Sequence, residues 1–344
     1  MLLLWLVLAT SLAIGIRRLC IPGFRRFLWL SVSSCLLLSL LMSCASDPLP
    51  NLPQQRSPLT KGTFLSIEHA MGTSQVPIQA QRVITVDTAA LDAALALGVK
   101  PVGSVIYSQF PAYLGDQTEG IASVGEGTQP NLETILSLKP DLILGSKISS
   151  GKIYKHLDRI APTVLTEGSG RDGEWHDNFR LFAKALNKES EGRQVLTDYQ
   201  QRVKALQQQL EEVDQTVVSV VATGQGRIGL YTSNSFSGSV LEDIGFDRSS
   251  KQKNTKGYVV QISREDLESL DGDLLILIHS PQISGSFDYD GFVSDPLWSK
   301  LSAVQNQKIH EVNSEVWTAG RNILAANQIL DDIAQIFSIS ISPS

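Results

Sequence analysis

The chain has 344 residues, 42% hydrophobic and 19% charged, which suits two compact domains with real cores and argues against disorder. A net charge of −6 offers no basic face, so no nucleic-acid partner is expected.

Residues 1–16 are almost wholly apolar, and Arg17, Arg18, Arg25 and Arg26 then precede "FLWLSVSSCLLLSLLMSC". A basic patch, an apolar run and small residues make a secretory signal. The first apolar segment is odd in front of it, and leaves two alternatives: a start further along, or a long leader. "RRFL" at 25–28 faintly resembles a twin-arginine export signal. Leu41-Met42-Ser43-Cys44 resembles a bacterial lipobox, with Met42 larger than that motif prefers. The other reading is a buried cysteine in a retained membrane helix. Cys20, Cys35 and Cys44 are the chain's three cysteines, so nothing after Cys44 can form a disulfide. The expectation is a signal over 1–43, a lipid on Cys44 and a Pro/Ser/Gln-rich tether over 44–62.

From residue 63, short β-branched runs alternate with helical ones. "RVITVD" precedes "ALDAALALG", whose last glycine is a helix stop. "VGSVIY", "IASVG", "NLETILSLK", "DLILG", "IYKHLDRI" and "TVLTE" continue the alternation, and a helix from about Trp175 follows. This spacing predicts parallel βαβ units over 63–187. Val195, Tyr199, Val203, Leu206, Leu210 and Val213 then recur at steps of three and four. That stripe predicts one amphipathic helix, and 188–216 is assigned as a connecting strut. Residues 217–344 repeat the α/β style. The expected fold is α/β: two Rossmann-like lobes joined by a single long connecting helix, with the site in the cleft between them.

Several motifs are decoys. "GQGRIG" at 224–229 matches a dinucleotide fingerprint, but "RIGLYT" after it reads as a strand, so a hairpin turn is expected. Ser149 and Lys152 form S-x-x-K without its companion motifs. His69, His156, His176, His279 and His310 are scattered, so no metal site is expected from them. Asp288, Asp290 and Asp295 flank Gly291 in a loop, better read as solvated than as calcium-binding. No catalytic residue, bare metal or intrinsic cofactor is expected.

Arginines and aromatics in loops after strands stand out. "EGSGRDGEW" carries Arg171 and Trp175; "EVWTAGR" carries Trp317 and Arg321. Tyr107 ends one strand, and Tyr231 and Phe236 follow another. An arginine fork suits anionic oxygens, and flat rings suit a large flat ligand. The bland reading is core packing for each ring and surface charge for each arginine. These seven are the candidate ligand residues, whereas Trp298 is read as core.

"LETILSLKPDLIL" at 132–144 returns as "REDLESLDGDLLI" at 264–276, placing Glu133 on Glu265 and Asp141 on Asp273. With "HAMGTSQVP", "QRVITVDTAALDAALALGVKPVG", "QISREDLESLDGDLLIL" and "VWTAGRNILAANQILDDI", the chain resembles the substrate-binding proteins of bacterial ABC importers for ferric siderophores and cobalamin, closest to the iron-siderophore branch. The resemblance implies a lipid-anchored, monomeric receptor for a ferric siderophore whose iron is held by the chelator. It also implies that Glu133 and Glu265 meet arginines of an ABC permease. The bland reading of either glutamate is helix N-terminal charge, worth about 0.3–1 kcal/mol. The alternatives are a cobalamin or haem receptor, and an anchored hydrolase using Ser149.

Overall fold

A computed structural model describes residues 63–224, 227–253, 255–279 and 292–342. The expected leader, Cys44 and tether lie outside the described residues, as do Asp288, Asp290 and Gly291.

A hairpin of β1 (Phe64–His69) and β2 (Gly72–Pro77) opens the first lobe. β3 (Val83–Thr85) lies inside a six-stranded sheet with β4 (Gly103–Ile106), β5 (Ala122–Glu126), β6 (Gln129–Pro130), β7 (Leu142–Ser146) and β8 (Thr163–Thr166), in the order β6-β5-β4-β3-β7-β8. All neighbours run parallel except β5 and β6. β3 and β7 are wholly buried, as expected of strands covered on both faces. The chain leaves β3 on one side for β4 and returns on its other side as β7. The crevice beyond the carboxyl end of β3 is therefore a topological switch point.

Helix α1 (Thr88–Ala96) starts there, with the Asp87 carboxylate accepting from the Ala89 and Ala90 amides. Gly98, at a φ of 72°, follows its end in the left-handed region. Helix α2 (Leu132–Ser137) is capped by the Asn131 side chain and buries Ile135. Helix α3 (Trp175–Ala185) closes the lobe.

The connecting helix α4 spans Glu189–Gln207, roughly 28 Å at 1.5 Å per residue, and is shorter than the predicted 188–216. The apolar stripe runs on to buried Leu210, but outside the helix. The chain has to turn toward the second sheet, and Glu212 adopts a φ of 49° that no α-helix tolerates.

The second sheet contains β9 (Val218–Gly224), β10 (Arg227–Tyr231), β11 (Val259–Ile262), β12 (Leu274–His279) and β13 (Ile309–Asn313), ordered β11-β10-β9-β12-β13. β9, β12 and β13 are parallel, whereas β10 runs antiparallel to both β9 and β11. The G-x-G-x-x-G segment thus joins two paired strands and opens no helix, which removes the dinucleotide fingerprint's context. Helix α5 (Phe236–Ile244) follows β10, and helix α6 (Ile323–Ile336) ends the lobe.

The internal repeat has a physical counterpart. The Asp141 carboxylate accepts from the Gln81 and Arg82 amides at 2.8 and 2.9 Å, just ahead of β3. The Asp273 carboxylate accepts from the Val217 amide at 2.8 Å, just ahead of β9. Each aspartate also heads the strand that pairs with the one it caps.

One apolar core runs through both lobes and the strut, taking Ala90 and Phe179 from the first, Leu196 and Tyr199 from α4, and Val240 and Leu330 from the second. Asp92 of α1, wholly buried, crosses between lobes. Its oxygens accept from the Leu324 and Ala325 amides in the first turn of α6 at 2.9 and 3.0 Å, and from the Tyr113 hydroxyl at 2.9 Å.

Candidate functional site

A cavity of about 450 Å³ opens between the lobes. The first lobe contributes Thr88, Tyr107 and Arg171; the second contributes Tyr231, Tyr258, Thr318 and Arg321. The two arginines expected on opposite lobes therefore meet on one cavity.

Their meeting depends on backbone contact. Loop 167–174 follows β8 and carries Arg171, whose carbonyl accepts from the Phe236 amide of α5 at 3.1 Å. Gly170, at a φ of 80°, passes so close to Arg321 that a Cβ there would fall 2.4 Å from the Arg321 carbonyl oxygen. Arg321 takes a left-handed φ of 60° and is 5% exposed. Its Nη2 donates to Thr88 Oγ1 at 2.7 Å and its Nε to the Ala319 carbonyl at 3.1 Å. Thr88 Oγ1 in turn donates to the Ala319 carbonyl at 2.8 Å. The guanidinium is thus fixed by atoms of both lobes.

Arg171 is exposed and sits over the Tyr258 ring, 5.2 Å from its centroid, a cation–π distance. Among the described residues, no ion pair includes Arg171 or Arg321. Two cations without carboxylate partners at one cavity attract anionic oxygens. Burial raises the pKa of the Tyr231 phenol; Tyr258 adds to the rise and Arg171 opposes it. Tyr231 is therefore a neutral hydroxyl at ordinary pH. Tyr107 is 42% exposed, and its ring lies over Gly127, where a Cβ would meet it at 2.0 Å.

Three of the seven candidate ligand residues sit in the core instead of on the cavity wall. Trp175 is fully buried, stacked on His176 at 3.6 Å and edge-on to Tyr199 at 5.2 Å. Phe236 is 2% exposed and packs edge-on to Trp175. Trp317 is fully buried, with Nε1 donating to Asp332 Oδ2 at 2.7 Å. The large rings are used to weld α3, α4, α5 and α6 together. A signal for this was present: Trp175, Phe179 and Phe182 follow one another at helical spacing, and all are fully buried. Trp298 is core as expected, packed on Phe292 at 4.7 Å. Thr88 and Tyr258 were missed. Tyr258 stands beside Tyr231 because β10 pairs with β11, and Thr88, at the start of α1, meets Arg321 across 233 residues of chain.

Ser149 Oγ donates to Asp87 Oδ2 at 3.2 Å and accepts from Ser146 Oγ at 3.1 Å. Among the described residues no hydrogen bond joins it to a histidine, so no Ser-His pair of the hydrolase type forms there. Among the described residues no cluster of three or more metal-ligating side chains forms. A larger depression of about 650 Å³, lined by His310, Glu311 and Asp332 among others, has no arginine or lysine in its lining, whereas the smaller cavity has both arginines beside its one lining carboxylate, Glu315.

Glu133 and Glu265 are both exposed and both stand in the first turn of a helical segment that follows an edge strand of its sheet, β6 and β11 respectively. The second segment, Arg264–Leu270, is a 3-10 turn rather than an α-helix. A hydrogen bond from Ser263 is the main reason the Glu265 carboxyl lies below its ordinary pKa.

Two α/β lobes, a helical strut and a cleft lined from both sides define a substrate-binding protein. Residues 83–316 match the family described as periplasmic binding protein, and the chain belongs to that family. It is 37% identical over 285 residues to the probable siderophore-binding lipoprotein YfiY of Bacillus subtilis, covering 79% of this chain and 87% of that one. It is 32% identical to the achromobactin-binding periplasmic protein of Dickeya dadantii, over 76% of this chain and 87% of that one. The crystal structure of Staphylococcus aureus SirA complexed with staphyloferrin B superposes with a TM-score of 0.72 at 30% identity, covering 80% of this chain and 99% of that one.

Proposed function

We propose that this protein is an extracytoplasmic receptor that captures an anionic ferric siderophore in the inter-lobe cleft and hands it to an ABC permease for iron uptake. The observation that carries this reading is the convergence of Arg171 and Arg321 on one cavity without carboxylate partners among the described residues. The names of the relatives agree with it. The chelator keeps the iron; the protein supplies charge from Arg171 and Arg321 and ring or hydroxyl contacts from Tyr107, Tyr231 and Tyr258. Ligand recognition is binding without chemistry, by a monomer. Hydroxycarboxylate chelators fit best, because their ferric complexes expose carboxylate oxygens that an arginine fork grips in pairs. Titration of the purified protein with ferric staphyloferrin B, ferric citrate and the cationic ferrioxamine B tests this. Tight binding of an anionic complex is expected. Preference for ferrioxamine B, or binding of none of the three, rejects it.

Cys44 is proposed as the lipid anchor. Cys44→Ser should abolish detergent-phase partitioning and change the mass of the mature protein; unchanged behaviour in both rejects the anchor.

A further inference from the structure

Four large apolar side chains are exposed among the described residues: Tyr107, Leu136, Ile148 and Leu297. Tyr107 lines the cleft, and Ile148 follows the carboxyl end of β7. Leu136 does neither. It is 59% exposed on α2, three residues after Glu133. Side chains at that spacing share one helical face. The inward face of α2 is already filled by Ile135, with Leu132 and Leu138 packed on the same cluster, so the core does not call for a leucine at 136.

A single exposed leucine needs no explanation. Two further observations set this one apart. Glu133, on the same face, has no basic partner among the described ion pairs. The second lobe also has an exposed leucine close to its glutamate-bearing turn: the 3-10 turn Trp298–Lys300 packs against the turn that carries Glu265, and Leu297, 36% exposed, immediately precedes it.

We infer that Leu136 is an apolar anchor of the permease-docking surface, and that the permease carries an apolar recess one helical turn from the cation that meets Glu133. The inference rests on the proposed hand-over to an ABC permease and on the docking role that the family resemblance implies for Glu133 and Glu265. The division of labour is physical. An exposed acid–base pair guides and orients encounter but adds little affinity. An apolar side chain leaving water adds affinity and slows release. Leu297 is the smaller counterpart on the other lobe, because less of it remains to be covered.

The test uses full-length lipoprotein in iron-starved cells of the source organism, given radio-iron in their own spent medium. Leu136→Ser should leave the siderophore content of the purified protein unchanged, read by its absorbance. It should also raise the receptor level needed for half-maximal uptake about tenfold. Leu136→Met should restore uptake, and adding Leu297→Ser should deepen the loss. If Glu133→Arg cripples uptake while Leu136→Ser does not, the apolar anchor is wrong and docking through the acids survives. If neither change matters, the docking reading fails and the anchor with it. A photocrosslinker placed at position 136 should capture a multi-span membrane protein through a peptide bearing Arg or Lys. Capture of a second copy of this chain overturns the inference.

Discussion

Gly170 and Arg321 stand back to back across the cleft: a Cβ on Gly170 would lie 2.4 Å from the Arg321 carbonyl oxygen. The loop of one lobe is thereby pressed onto the loop of the other at the point where both present an arginine. Gly170 also holds a φ of 80°, which costs an ordinary residue of order 1 kcal/mol. Gly170→Ala should therefore lower stability by roughly 1–3 kcal/mol and weaken ligand binding more than an exposed substitution elsewhere. Urea denaturation alongside ligand titration checks both parts. A variant with wild-type stability and affinity would show that the contact is not maintained in solution.

The arginines should differ in what their loss does. Arg171 is exposed and makes a ring contact, so Arg171→Ala should cost about 1.5–3 kcal/mol of affinity for an anionic complex and leave the melting temperature nearly unchanged. Arg321 also bonds Thr88 of the other lobe, so Arg321→Ala should lower both affinity and melting temperature. Wild-type affinity in both variants would move the site elsewhere.

Asp92 predicts a pH dependence. Burial raises its pKa from 3.8 to about 7, against the bonds from Leu324, Ala325 and Tyr113, which lower it. The folded state thus holds this proton more tightly than the unfolded state does. Its contribution is fully favourable below the unfolded pKa and is lost as pH rises through the folded one, by roughly 4 kcal/mol at full development. Half-buried Asp243 and Asp332 are shifted in the same direction, so the comparison has to isolate Asp92. The fall in unfolding free energy between about pH 4 and 7 should be shallower in Asp92→Asn than in wild type. Parallel slopes would mean that the carboxylate is better solvated than its burial implies.

Reversing the charge of both Glu133 and Glu265 separates capture from delivery. Glu133 and Glu265 are exposed, so Glu133→Arg/Glu265→Arg should change ligand affinity and melting temperature little. Uptake by cells should nevertheless collapse, because like charges would face each other at the docking surface. Normal uptake would reject the docking role, whereas lost binding would move these residues into the cleft.

The two-lobed plan was readable in the chain because its signals are local: β-branched runs, the Gly98 stop, and the paired acids of the repeated unit. The cavity wall was only partly readable. Arg171, Arg321, Tyr107 and Tyr231 could be picked out as residues of the right chemistry in loops after strands. Residue type could not separate them from Trp175, Phe236 and Trp317, because an aromatic ring serves a cleft and a core equally well. Spacing could have done so for Trp175. Tyr258 and Thr88 depend on which strands pair and on how Arg321 crosses the lobes, which no local pattern encodes. The strut was overextended for a related reason: the apolar stripe continues to Leu210, but the turn at Glu212 is dictated by the sheet it must reach.

The contacts of Asp92 with Leu324 and Ala325 join positions 232 and 233 residues apart. A chain made amino end first presents α1 long before α6. The face of α1 that α6 covers stays open to water until α6 is made. Such distant closures are slow to form. The clasp between α1 and α6 thus makes the joining of the two lobes a late step in building the protein.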